Sequence, residues 1–195
     1  MGDSGLSQVL GLLVLDAEGN RLAVKYSSLG RKEVWTTTKQ QIAFEKRLIQ
    51  KMPKIMPSQR SEVDVAVIDD FNVLYQACND VIVAAVATST ENELLVMQLV
   101  EGIYSAVAAA APSGFLSAGL TKQLVLDNLA DVLFILDEVC DDGIIVEVDE
   151  ETISARVKMV DETEVTTSAQ AQEKFQKATQ SAKQKLLGSL IGSRG

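Results

Sequence analysis

The chain of 195 residues contains no histidine, two cysteines and three prolines, and aromatic residues make up 5% of it. The missing histidine excludes His-based nucleophilic triads, His-containing zinc sites and the commonest general base. Cys78 and Cys140 lie too far apart in sequence to suggest a metal motif, and two thiols supply neither a four-thiolate site nor a disulfide framework. Their rarity fits a reducing compartment, and both are expected as buried apolar thiols. The segment nearest to a phosphate-binding loop, Gly114 to Gly119, is followed by Leu120 where a lysine belongs, and no strand precedes it. No cofactor, no metal and no enzymatic activity are expected.

Positive charge is scarce in the middle of the chain. Residues 61–165 carry three Lys+Arg against twenty-one Asp+Glu, residues 1–60 carry ten against five, and residues 166–195 carry five against one. The overall net charge of −9 therefore hides oriented electrostatic faces, which steer docking to partners. The excess of acid argues against nucleic acid, which requires a basic footprint.

The opening MGDSGLSQVL shows neither a basic n-region nor a small-residue cleavage site, so no signal peptide is expected. A myristoylation pattern fails at Leu6. Residues 102–121 form the longest uncharged stretch, long enough in principle to cross a bilayer. Pro112, Ser113, Gly114 and Gly119 interrupt it, so it reads as a helix end, a turn and a helix start.

A hydrophobic fraction of 47% is enough for a core. Residues 9–15 (VLGLLVL) are continuously apolar, the pattern of a strand buried on both faces. Asp16, Gly19 and Asn20 supply a turn, and Leu22, Val24 and Tyr26 then alternate with polar or small residues, completing a hairpin. Thr38 followed by Gln41 reads as a capping box opening a helix to about Met52. Its apolar arc is Ile42, Phe44, Leu48, Ile49 and Met52, with Lys39, Lys46, Arg47 and Lys51 opposite. Pro53 and Pro57 stop it. Residues 63–68, 71–77 and 81–88 read as three strands joined by short turns, hence an antiparallel meander.

Thr90 with Glu93 reads as a second capping box, opening a helix to about residue 111. A third helix is expected over residues 120–140, with Leu129, Val132, Leu133, Leu136 and Val139 on its inner face. Gly143 follows its end, residues 143–148 are extended, and a small helix begins near Asp149. From about Ser168 a polar helix carries a narrow stripe of Ala171, Phe175, Ala178, Ala182 and Leu186, enough to dock on a groove but not to stand alone in water.

Three surface features admit two readings each. Asp137, Glu138, Asp141 and Asp142 form either a solvated acidic face or a patch for a basic partner; their spacing fits no calcium loop. The four basic residues of the first helix are solvated, or they touch an acidic partner or an anionic membrane. The tail stripe packs on this domain or on a partner.

The element order, two strands, a helix, three strands and two helices, resembles the longin-like (SNARE-like) fold of the small subunits of vesicle coats. LLVLDAEGNRLAVKYS over residues 12–27 is similar to the opening hairpin of coatomer zeta subunits. Ala43, Phe44, Glu45 and Lys46 resemble that family's first helix, and Glu91, Asn92, Glu93 and Leu94 the start of its second. Leu126, Asp127 and Asn128, then Leu136, Asp137 and Glu138, and Asp141 through Glu147 resemble its third helix and exit. Ser181 to Leu187 resembles its closing helix.

The resemblance covers roughly residues 8–187. It implies an α+β, longin-like domain over residues 8–148, with a five-stranded antiparallel sheet packed by helices. Residues 1–7 would form a disordered N-terminus, and residues 149–195 an extension with an amphipathic helix.

The implied function is that of a non-catalytic subunit of the COPI vesicle coat. It pairs with the coatomer gamma subunit, whose helical solenoid trunk cradles it, and joins the other coatomer subunits. An Arf-type GTPase recruits the coat, so the chain would be cytoplasmic and cycle peripherally onto Golgi membranes in Golgi-to-ER and intra-Golgi transport. Expected contact residues are Lys39, Lys46, Arg47 and Lys51, with Phe175 and Leu186 as tail anchors. Two alternatives are a sigma-type clathrin-adaptor subunit reading dileucine signals and a longin-type regulator of a small GTPase.

Overall fold

A computed structural model describes residues 7–52, 62–110 and 119–159. Strands β1 (Val9–Asp16) and β2 (Arg21–Tyr26) form the hairpin, and helix α1 is Thr38–Lys51. Strands β3 (Asp64–Ile68), β4 (Phe71–Cys78) and β5 (Val81–Thr88) form the meander. These five strands make one antiparallel sheet in the order β2-β1-β5-β4-β3. The hairpin is thus added to the far end of the meander, and the two strands with the most continuous apolar sequence lie side by side at its centre.

All eight residues of β1 are buried, as its unbroken apolar run requires when both sheet faces are covered. Its pairing shifts between Val9 and Gly11, which leaves Leu10 as the extra residue of a β-bulge. The bulge puts Leu10 on the same face as Leu13 and Leu15, while Leu12 and Val14 point the other way. Each set joins its own core.

The first core lies under α1. Phe44, Leu48 and Met52 of the helix meet Leu13, Tyr75, Ile82 and Val86 of the sheet. Trp35 sits at the centre, with its ring 5.4 Å from Tyr26, 4.4 Å from Phe44 and 5.2 Å from Phe71. A five-residue π-helical turn, Gly30–Val34, delivers Trp35 to this place.

The second core lies under α2 (Glu93–Ala109), α3 (Lys122–Asp127), α4 (Leu129–Val139) and α5 (Glu150–Val157). It is aliphatic: Val96, Leu99, Val100 and Ile103 of α2 meet Leu12, Val14, Val83 and Leu74. Gly102 lets α5's approach pass close, because a Cβ there would strike the Val148 carbonyl oxygen. Ile153 of α5 is fully buried, and the compact unit holding the sheet closes at Val157. Between α4 and α5, β6 (Cys140–Asp141) and β7 (Ile144–Ile145) form a small hairpin. Its turn ends on Gly143 at φ +93, a left-handed conformation that L side chains rarely adopt.

Four sequence expectations are corrected. The capping box of α1 is Thr37 with Gln40, one residue earlier than expected: Thr37 accepts from the Gln40 amide, and the Gln40 side chain takes the Thr37 amide. Helix α2 is capped by Asn92, whose side chain accepts from the Leu94 amide, and not by Thr90. The third helix is two helices, divided at Asn128 (φ −117, ψ 30), whose side chain donates to the Leu124 carbonyl. Within α4, Leu133 and Ile135 flank the Val132, Leu136 and Val139 arc on opposite sides; the core takes Ile135, and Leu133 faces solvent.

Candidate docking surfaces

The hairpin residues and α1 converge on one buried carboxylate. Glu45 is 1% exposed. Arg21 grips it with two bonds, Nε to Oε2 and Nη2 to Oε1, both 2.8 Å, and the Tyr26 hydroxyl donates to Oε1 at 2.6 Å. Arg21 also reaches the Gln41 side chain at 3.3 Å. Burial, reinforced by the bond to Glu45, pushes the Tyr26 phenol far up, so it stays a donor. This bidentate pair plus hydroxyl satisfies a carboxylate that would otherwise be expensive to bury. Residue type alone does not mark Glu45 as a structural group. One signal was present: it lies on the arc of Phe44, Leu48 and Met52, where a carboxylate demands a partner.

A second lock joins the hairpin turn to α3. Asp16 is inaccessible to solvent and accepts from the Glu18 and Asn20 amides, the Asn20 side chain and Lys122 Nζ at 2.8 Å. Burial alone would raise its carboxyl. The bonds from Lys122 and Asn20, with the lysine charge, outweigh burial and hold the group below the usual carboxylate range. Lys25 does similar work for α4. Its ammonium donates to the Cys140 carbonyl at 2.8 Å and the Leu136 carbonyl at 3.3 Å, and it pairs with Asp137 at 2.6 Å. A cation at a helix C-terminus satisfies orphan carbonyls and offsets the acids there.

These locks leave little free cationic capacity in the groove of about 610 Å³ beside β2, where Arg21 and Lys25 are committed and the Arg31 charge acts on Asp142. Asp142 itself is held low by the Ser28 amide, which donates to it at 2.6 Å. Burial pushes the Cys140 thiol up to about 12, which leaves no thiolate nucleophile there. Among the described residues, no cluster of three or more His, Cys, Asp or Glu can hold a metal, and no helix is long and apolar enough to cross a membrane.

The outer surfaces differ in sign. Lys39, Lys46, Arg47 and Lys51 are all exposed on α1. Arg47 is held by Asp69 at 2.7 Å, with its guanidinium 6.0 Å from the Phe44 ring. Arg31 and Lys32 on the π-helical turn add two exposed cations to those of α1. Of the acidic group, Asp137 faces Lys25, Glu138 faces Arg156 and Asp142 accepts from the Ser28 amide, so three of the four acids tie elements of the fold together. Phe175 and Leu186 lie outside the described residues.

A sheet of this order, capped by one helix on one face and several on the other, is the α+β architecture of the small subunits that the element order resembles. A family model described as clathrin adaptor complex small chain matches residues 8–164, and the chain belongs to that family. Within it, the chain is similar to coatomer zeta subunits. It is 34% identical to coatomer subunit zeta-1 of Arabidopsis thaliana over 149 residues, 76% of this chain and 78% of that protein. It is 31% identical to coatomer subunit zeta of Saccharomyces cerevisiae over 80% of both chains. It is 26% identical to human coatomer subunit zeta-1 over 95% of this chain and 96% of the other. Among structures, a chain in a homology model of the full-length AP-3 complex in a stretched open conformation matches with TM-score 0.51 at 14% identity, over 85% of this chain and 98% of that one. That likeness concerns the fold, which is the longin-like one expected from the element order.

Proposed function

We propose that the chain is a non-catalytic structural subunit of the coatomer (COPI) coat that pairs with the coatomer gamma subunit. The observation that carries this reading is the 34% identity to a coatomer zeta subunit along three quarters of the chain. Residues of the similar segments are also the ones that meet in the fold: Arg21 and Tyr26 of the hairpin close on Glu45 of α1.

In this reading the sheet and its helices form a rigid block cradled by the helical solenoid trunk of the gamma subunit. Through it the block joins the remaining coatomer subunits. An Arf-type GTPase acts indirectly, by recruiting the coat to the cytosolic face of Golgi membranes. The transport steps served are Golgi-to-ER and intra-Golgi. Lys39, Lys46, Arg47 and Lys51 provide an electrostatic contact, and Phe175 and Leu186 anchor the tail, in an extension that begins near residue 149.

Co-purification of the full chain with the gamma trunk at physiological salt tests the pairing, and absence of a complex refutes it. Charge reversal of Lys39, Lys46 and Lys51 slows association and flattens its salt dependence if α1 contacts the partner. Unchanged association rates assign α1 to solvent. The adaptor small-chain family as a whole favours one second reading, a sigma-type subunit. Binding of an acidic dileucine peptide by the purified heterodimer distinguishes it.

A further inference from the structure

Helix α4 presents two opposite faces of comparable apolarity. Val132, Ile135, Leu136 and Val139 are buried against α2 and the sheet. On the outer face Phe134 is 60% exposed and Leu133 46% exposed, with Ala130 one turn before them. Residues 130, 133, 134 and 137 are neighbours along a helix surface, so the exposed groups form one short stripe ending at Asp137. A lone exposed apolar side chain needs no explanation, but two large ones side by side on one helix face make a patch.

The sequence around the stripe is acidic. Residues 123–155 contain ten Asp or Glu and neither Lys nor Arg. Asp131 on α4 and Asp127 at the end of α3 border it, and Asp137 closes it. Lys25 neutralises Asp137 at the end of the stripe and donates to the carbonyls ending α4, Lys122 is bound to Asp16, and Arg156 to Glu138, so the acidic rim that a partner meets is Asp127 and Asp131. An apolar centre with an exposed aromatic and a charged rim has the anatomy of an anchor-and-rim interface.

We propose that the outer face of α4 is a docking surface for a basic amphipathic helix of the partner chain. Phe134 and Leu133 insert between that helix's apolar residues, and Asp127 and Asp131 meet its lysines or arginines. This rests on the reading above, because a helical solenoid supplies such a helix, and it adds which face is used and what the partner helix carries. Phe134 and Leu133 hold the complex together. The acidic rim steers it, acting on association rate and salt dependence.

The test measures binding of the full chain to the recombinant gamma trunk for the wild type, a Leu133→Ser/Phe134→Ser variant and an Asp127→Lys/Asp131→Lys variant. Leu133, Phe134 and Asp127 are exposed and Asp131 is half-buried, and matching melting curves check that each variant is folded. The serine variant is expected to bind at least tenfold more weakly, through faster dissociation. The lysine variant is expected to associate more slowly at low salt. Wild-type binding with an unaffected serine variant overturns the α4 proposal and leaves the pairing intact. Failure of the wild type to bind refutes the pairing, and the α4 proposal with it. A wild-type chain that dimerises alone, with the serine variant monomeric, assigns the face to a second copy and also overturns the proposal.

Discussion

Helix α1 and the α3–α4 pair cover opposite faces of the same sheet, and each is tied to the same hairpin by ionic bonds. The bonds differ in where they lie. The α1 bond is interior: Glu45 is almost wholly buried and carries three strong hydrogen bonds from Arg21 and Tyr26. The ties to α3 and α4 use lysines at the rim, Lys122 on a buried Asp16 and Lys25 on Asp137, whose side chain is 69% exposed. Depth decides what a charge pair contributes. An interior carboxylate left without its partners is strongly destabilising, whereas an exposed pair is screened and contributes little.

The largest effect that can break this contrast comes from Glu45→Ala. It leaves Arg21 and Tyr26 facing an emptied site and is expected to destabilise by about 3 kcal/mol, since breaking one side of a buried pair costs about that much. Urea denaturation checks it; a loss under about 1 kcal/mol would put this bond in the same class as the rim ties.

Acid comes next, and its sign follows from Asp16. A carboxyl held below its unfolded value stabilises the fold at pH above about 4, and the contribution is lost as pH falls through the folded-state value. Stability of the wild type therefore falls in acid, and the Asp16→Asn variant shows a shallower acid limb in chemical denaturation across that range. Identical acid limbs would exclude Asp16 as the source. The smallest effect belongs to Asp137→Asn, which is expected to change stability by no more than about 0.5 kcal/mol because the pair is exposed. A larger loss would mean that Lys25 needs this carboxylate to hold the end of α4.

The same depth argument explains what was legible in the amino-acid sequence. Strand β1 was readable because burial on both faces demands an unbroken apolar run, and the meander because its turns are too short for anything but antiparallel neighbours. The caps were placed one or two residues off, because Thr36, Thr37 and Thr38, and likewise Thr88, Ser89, Thr90 and Asn92, each offer several candidate oxygens. Tertiary geometry chose among them. The break at Asn128 carried no proline or glycine to announce it. Leu133 and Ile135 are both apolar and flank the Val132, Leu136 and Val139 arc on opposite sides, so residue type alone does not say which of them the core takes. As for the sites, the exposure of Lys39, Lys46, Arg47 and Lys51 could be read from periodicity alone. The apolar outer face of α4 could not, because periodicity places Leu133 beside the buried arc and leaves Phe134 as a lone exposed side chain. Glu45 was hidden by its type: a charged residue is read as surface until its partners are found in space.

The sheet order also bears on how the chain is made. Val9 of β1 pairs with Ala87 of β5, and β1 has no other neighbour on that side. At a ribosomal pace of roughly 5–20 residues per second, the first hairpin waits on the order of 3–12 s for its second flank to be synthesised. For that time an unbroken apolar strand is open along one backbone edge, a template for pairing with any other extended chain nearby. The most aggregation-exposed moment in the life of this domain therefore falls before its fifth strand has left the ribosome.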